Sequence, residues 1–106
     1  VIYVPTDNTA ASCKQAVNGA IGDTPLIAGE AGICDGCGVA TLSISYYDLG
    51  AATGKMAAKI LRGEAKISEM PIAYADKFTK LYNSAKCDQL GINKSELEAK
   101  GYTPIS

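Results

Sequence analysis

The sequence contains no histidine and no tryptophan among its 106 residues. Without histidine the commonest general base is missing, and with it the usual partner of a serine or cysteine nucleophile and the commonest metal ligand. No apolar run approaches the roughly 18 residues that a membrane-spanning helix needs. There is no cluster of one charge either. Ten basic residues balance eleven acidic ones for a net charge of -1, which speaks against a nucleic-acid surface. Internal repeats, low-complexity stretches and any pattern calling for a cofactor are lacking as well. The chain opens on Val1-Ile2-Tyr3-Val4 with no initiator methionine or leader, and is expected to be a piece of something longer whose targeting signal lies upstream.

What is present reads as one α/β domain with parallel strands and flanking helices. Val1–Pro5 is β-branched and aromatic and ends at a proline, so it predicts a buried parallel strand. Thr6-Asp7-Asn8-Thr9 is a run of helix-capping residues. Apolar positions then recur at helical spacing from Ala10 to Ile21, and Gly22-Asp23 stops that helix. Pro25–Ala28 predicts a second buried strand, which completes a right-handed strand–helix–strand unit. Residues 29–38 read as a glycine-rich loop carrying Cys34 and Cys37. Val39–Ser45 alternates as a third strand with one more polar face. The longest helix runs from Tyr46 to Arg62 with Leu49, Ala52, Met56, Ala57, Ile60 and Leu61 as its apolar stripe. A loop with a short extended piece near Pro71–Tyr74 follows. Phe78–Tyr82 reads as a late edge strand, Ala85–Leu90 as a short helix, and a final helix starts at Asn93 and ends at Gly101.

IYVPTDNTAAS, TPLIAGE, ATLSISYYDLGAATGKMAAKILRGE and KLYNSAKCDQLGI, in that order, resemble the later half of ABC-type substrate-binding proteins of the type I periplasmic-binding fold. The branch linked to tryptophan and tyrosine import is the most similar. The resemblance covers residues 1 to about 92 and is most specific at Pro5–Asn8 and from Tyr46 to Gly63. It implies a truncated, Rossmann-like lobe. Residues 1–45 would belong to the second of two lobes, residues 46–77 to a crossover and a helix of the first, and residues 78–106 to a late strand and terminal helices. It also implies capture of a small molecule outside the cytoplasm, in the periplasm or on a lipoprotein anchor, and delivery to the permease subunits of an ABC importer. That is transport rather than an enzyme reaction.

Candidate site residues follow from position. Open parallel sheets bind ligands outside the carboxyl ends of their strands. Thr6, Asp7 and Asn8 stand there after the first strand and Glu30 after the second, so each is a candidate ligand contact. Helix capping competes for Asp7 and Asn8, and plain surface exposure for Glu30. Ser43, Ser45 and Tyr46 fall at the implied crossover and are candidate hinge residues, with an N-cap at Ser45 as the competing use. Cys34-Asp35-Gly36-Cys37 is a CxxC, which allows a redox disulfide or half of a metal site. With Cys13 and Cys87 alone on predicted helices and no histidine, no metal site is assigned. A thiol–disulfide oxidoreductase and the ligand-binding domain of a transcriptional regulator remain the rival functions. If the long helix belongs to another lobe, Leu49, Met56, Ile60 and Leu61 lack cover in the isolated chain. The chain should then form a homodimer, which light scattering at tens of micromolar would show, whereas a monomer would contradict it.

Overall fold

The strand–helix–strand unit is realised at the N-terminus of the computed structural model, which describes residues 1–105. Strand β1 (Ile2–Val4) pairs in parallel with β2 (Leu26–Ala28), Val4 opposite Ala28. Two helices connect them where one was expected: α1 (Asn8–Ser12) and α2 (Lys14–Ile21). The break falls at Cys13, whose N–H closes α1 on the Thr9 carbonyl and whose carbonyl accepts from the Val17 N–H to open α2. Ser12 accounts for it locally. Its hydroxyl also donates to the Thr9 carbonyl, 2.8 Å away, and so competes with continuation of the helix.

The glycine-rich segment is a helix rather than a loop. Helix α3 spans Ala31–Cys37 and buries Ile33, Cys34 and Cys37. Glycine inside a helix costs about 0.5–1 kcal/mol relative to alanine. Two effects offset Gly32 and Gly36 here. The Glu30 side chain satisfies the N–H groups of both Gly32 and Ile33 at the helix start. Full burial of Ile33 adds about 1.5–3 kcal/mol.

Strand β3 (Ala40–Ile44) pairs in parallel with β2, Ala28 opposite Thr41. Strand β4 (Phe78–Tyr82) stands between β3 and a short β5 (Thr103–Pro104), with which it is parallel. The sheet order is therefore β1-β2-β3-β4-β5, and β4, expected at an edge, is interior. The strand that covers it comes from the C-terminal tail, where Thr103-Pro104 gives no periodic signal. Helices α5 (Ser84–Leu90) and α6 (Lys94–Ala99) are capped by Asn83 and Asn93. Gly91, at φ 64°, ends α5 in the left-handed region that suits glycine.

The core is formed by two clusters. Leu26, Ala28, Ile33, Cys34 and Cys37 form one cluster, and Val39, Ala40, Tyr82 and Cys87 a second. The more polar face of β3 is the inward one. Thr41 is 1% exposed, whereas Leu42 is 52% exposed. Parallel register puts Thr41 beside Ala28, which packs with Ile33, Cys34 and Cys37 of α3. Tyr3, Ile27 and Leu42 are all exposed. The expected burial of β1 is likewise not observed, because β1 ends the sheet and Ile2 and Tyr3 are open to solvent.

The chain divides into two compact units: Val1–Ser43 with the residues from Thr79 onward, and Ile44–Phe78. The second unit consists of helix α4 (Tyr46–Leu61), a 3-10 turn (Ile67–Glu69) and irregular chain. Ser45 caps α4, its hydroxyl accepting from the Asp48 N–H at 3.1 Å. Leu49, Ala52, Met56 and Ile60 are half-buried, but no residue of this unit is fully buried, and Leu61 is 87% exposed. The extended piece expected at Pro71–Tyr74 forms no strand.

Three of the four thiols are core residues, and all four are free. Burial pushes the Cys34 thiol up to about 12, with the neighbouring Cys87 and Cys37 thiols adding to it. Burial also raises Cys37 and Cys87. An unfolded thiol releases its proton near pH 8.5–9, about three units before folded Cys34 does, so between those values the unfolded chain holds fewer protons. Stability should therefore fall as pH rises from about 9 toward 12, by up to about 1.4 kcal/mol per pH unit for Cys34. Urea midpoints measured across that range should flatten in Cys34→Ala; an unchanged slope would contradict the assignment. In the native chain at neutral pH a thiol reagent should label Cys13 alone, since it is the one exposed thiol.

Candidate functional site

Parallel pairing of β1 and β2 brings both carboxyl ends to the same edge of the sheet. The loops leaving them touch. The Gly29 N–H donates to the Val4 carbonyl at 2.7 Å, and the Thr6 hydroxyl donates to the Gly29 carbonyl at 3.1 Å. A Cβ built on Gly29 would lie 2.6 Å from the Thr6 nitrogen and 2.8 Å from the Pro5 carbonyl carbon. Only glycine admits that approach of backbone to backbone. Sequence reasoning singled out Thr6 and Glu30 and passed over the residue that joins them. Its one signal was a glycine directly after a buried strand.

The two carboxylates at this edge differ in how much of each is engaged. Asp7 is the N-cap of α1, and its Oδ1 accepts from the Ala10 N–H at 2.7 Å. Its Oδ2 has no partner among the described residues, and the residue is exposed. Asn8 is the first residue of α1. Glu30 is half-buried and uses both oxygens on α3: Oε2 accepts from the Gly32 N–H at 2.8 Å, and Oε1 from the Ile33 N–H. An open carboxylate oxygen beside a helix start suits an ammonium or hydroxyl donor. Capping and ligand contact, alternatives in the sequence, are compatible in Asp7 because the two uses fall on different oxygens.

The remaining candidates lie elsewhere. Ser43 is buried at the end of the first unit, and Ser45 and Tyr46 begin the second, Ser45 as the cap of α4 and Tyr46 exposed. The CxxC lies on α3, where Cys34 and Cys37 are buried. Cys37 Sγ donates to the Ile33 carbonyl at 3.4 Å. Thiol exchange proceeds through the thiolate, so thiols that burial keeps protonated are poor nucleophiles. Among the described residues no group of three or more metal-binding side chains converges. Within the second unit a cavity of about 250 Å³ is lined by Ser45, Asp48, Lys55, Tyr74, Asp76 and Lys77.

Residues 1–100 match the family described as ABC transporter substrate binding protein. No curated protein matches. Three solved structures resemble nearly the whole chain. A substrate-binding protein with adhesive properties from Clostridium difficile, in its ligand-free open form, is 36% identical over 98% of the chain, with a TM-score of 0.71. A Streptococcus pneumonia ABC domain in complex with L-Trp is 31% identical over 99%, with a TM-score of 0.81. A conserved domain protein from Vibrio cholerae is 26% identical over 99%, also with a TM-score of 0.81. The chain spans 36%, 37% and 36% of those three proteins. The sheet, its flanking helices and the sequence match agree: this chain belongs to the ABC transporter substrate-binding proteins.

Proposed function

We propose that the edge built from Thr6, Asp7 and Asn8 is one wall of a ligand cleft in a two-lobed, extracytoplasmic solute-capture protein that serves the permease subunits of an ABC importer. The open Oδ2 of Asp7, on a carboxylate already oriented by its bond to the Ala10 N–H, carries this reading. An oriented anion accepts an ammonium at little further conformational cost. The ligand class that follows is a small molecule with a cationic donor. An aromatic amino acid fits, and the Streptococcus relative that binds L-Trp supports it. Residues 1–45 with 78–106 then belong to the second lobe and residues 46–77 to the first, and Ser43, Ser45 and Tyr46 lie where the lobes hinge. Capture by closure needs a residue such as Asp7 to be held rigidly in one lobe while the other moves.

Two substitutions at Asp7 separate its roles in the two-lobed protein. Asn caps helices as well as Asp does, so Asp7→Asn should keep the melting temperature while removing the charge. L-Trp affinity measured by calorimetry should then fall by about 1–3 kcal/mol, the scale of a lost charge-assisted hydrogen bond. Asp7→Ala should lose both affinity and about 1 kcal/mol of stability. Unchanged affinity in both variants, with only Asp7→Ala less stable, would reduce Asp7 to a cap.

A further inference from the structure

A cavity of about 390 Å³ lies within the first unit, and the sheet edge contributes no residue to it. Its lining includes Asp35 and Gly36 on α3, Asn83, and Lys86 and Gln89 on α5. Lys86 is the group there whose bonding the protein leaves incomplete. The residue is only 7% exposed, yet its ammonium donates, among the described residues, to Gln89 Oε1 alone, at 3.0 Å. None of the ion pairs among the described residues includes it. The polar groups of α3 and α5 around it are engaged elsewhere. Asp35 is paired with Lys14 at 2.7 Å. Gln89 turns its amide nitrogen to Asp23 at 3.2 Å. Asn83 directs its amide nitrogen to the carbonyls of Cys34 and Asp35, at 3.1 and 2.8 Å. Its oxygen accepts from the Lys86 backbone N–H at 3.1 Å.

A charge withdrawn from bulk water is strongly disfavoured unless an opposite charge meets it. A lysine ammonium has three N–H bonds, and one neutral amide oxygen leaves two of them free. The charge left uncompensated in the cavity wall is a single positive one, since Asp35 is already neutralised by Lys14. A monovalent anion cancels it. A dianion would leave excess negative charge beside Asp35. A carboxylate also presents two acceptor oxygens to two free donors, and such charge-assisted bonds are the strong ones. Each liquid water occupies about 30 Å³, so the cavity has room for a small organic anion. We propose that this cavity is a binding site for a small monocarboxylate, held by an ion pair with Lys86. The anion bridges the linings contributed by α3 and α5. The site differs from the sheet-edge cleft in position and in sign: the edge offers a carboxylate to a cation, and this cavity offers an ammonium to an anion.

Acetate and acetamide test this, because they share a shape and differ in charge. Each would be titrated at neutral pH and low salt into the 15N-labelled chain and followed by NMR, with sodium chloride as the control for ionic strength. Acetate should give saturable shifts at the amides of Gly36, Lys86 and Gln89. Acetamide should bind at least about tenfold more weakly, as loss of the charge implies. Acetate should also raise the melting temperature, which acetamide and chloride should not, because a ligand of the folded chain stabilises it. Lys86→Met, which keeps the unbranched apolar stem, should abolish the acetate response. The Lys86 side-chain ammonium resonance of the unaltered chain should move with acetate, a readout that does not depend on the variant folding. The absence of saturable shifts at tens of millimolar acetate would overturn the proposal, since water alone would then complete the ammonium. So would equal responses to acetate and acetamide, an effect matched by chloride, or shifts that persist in folded Lys86→Met. Shifts centred on Lys14 or on Asp7 would place the anion elsewhere and overturn it as well.

Discussion

Two backbones meet at Gly29 with no room for a Cβ between them, and the arrangement of the sheet edge depends on that contact. The loop after β2 lies against Pro5 and Thr6 of the loop after β1, bonded on both sides of Gly29, from its N–H to Val4 and from Thr6 to its carbonyl. These bonds extend the β1–β2 ladder by one residue and fix where each chain turns into its helix. Asp7 and Glu30 follow immediately. Where they stand is a consequence of how closely the two strand ends can be brought together.

The helices that leave this edge are short. α1 has five residues and α3 has seven, so neither is stable by propensity alone. Their side-chain caps and the burial of Ile33 and Cys34 hold them. This economy places acidic residues at both helix starts, where the exposed N–H groups favour negative charge. A carboxylate that caps with one oxygen keeps the other for solvent or ligand. Glu30 caps with both oxygens, whereas Asp7 caps with one. The same contrast appears at the cysteines. The CxxC spacing on α3 points both thiols into the core, which favours packing over thiol exchange.

Much of this was legible in the sequence. β-branched runs bounded by Pro and Gly located β1 to β3 and the parallel unit, and the Asn83 and Gly91 signals bracketed α5 closely. What escaped had physical causes. Gly32 and Gly36 argued for a loop, and the double cap supplied by Glu30 reversed the balance. A hydroxyl at Ser12 divided one expected helix into two. Thr41 and Ser43 marked a polar face that turned out to be a buried one, since the register sets Thr41 beside buried Ala28. Strand β5 is two residues long and exists only through pairing with β4. At the site, residue types and strand ends were readable, whereas the division of oxygens between cap and solvent required coordinates.

The dependence of the edge on Gly29 is tested most directly by hydrogen exchange in Gly29→Ala, followed at residue 29, Ala10 and Ile33. Forcing a methyl group into a filled space costs about 1–3 kcal/mol. The parallel pairing of β2 with β3 should absorb little of that. Protection at those three amides should therefore fall by about fivefold to a hundredfold. The Val39 amide, which bonds to the Leu26 carbonyl deeper in the sheet, should keep more of its protection. Unchanged protection at residue 29, Ala10 and Ile33 would contradict the claim that this contact holds the edge together.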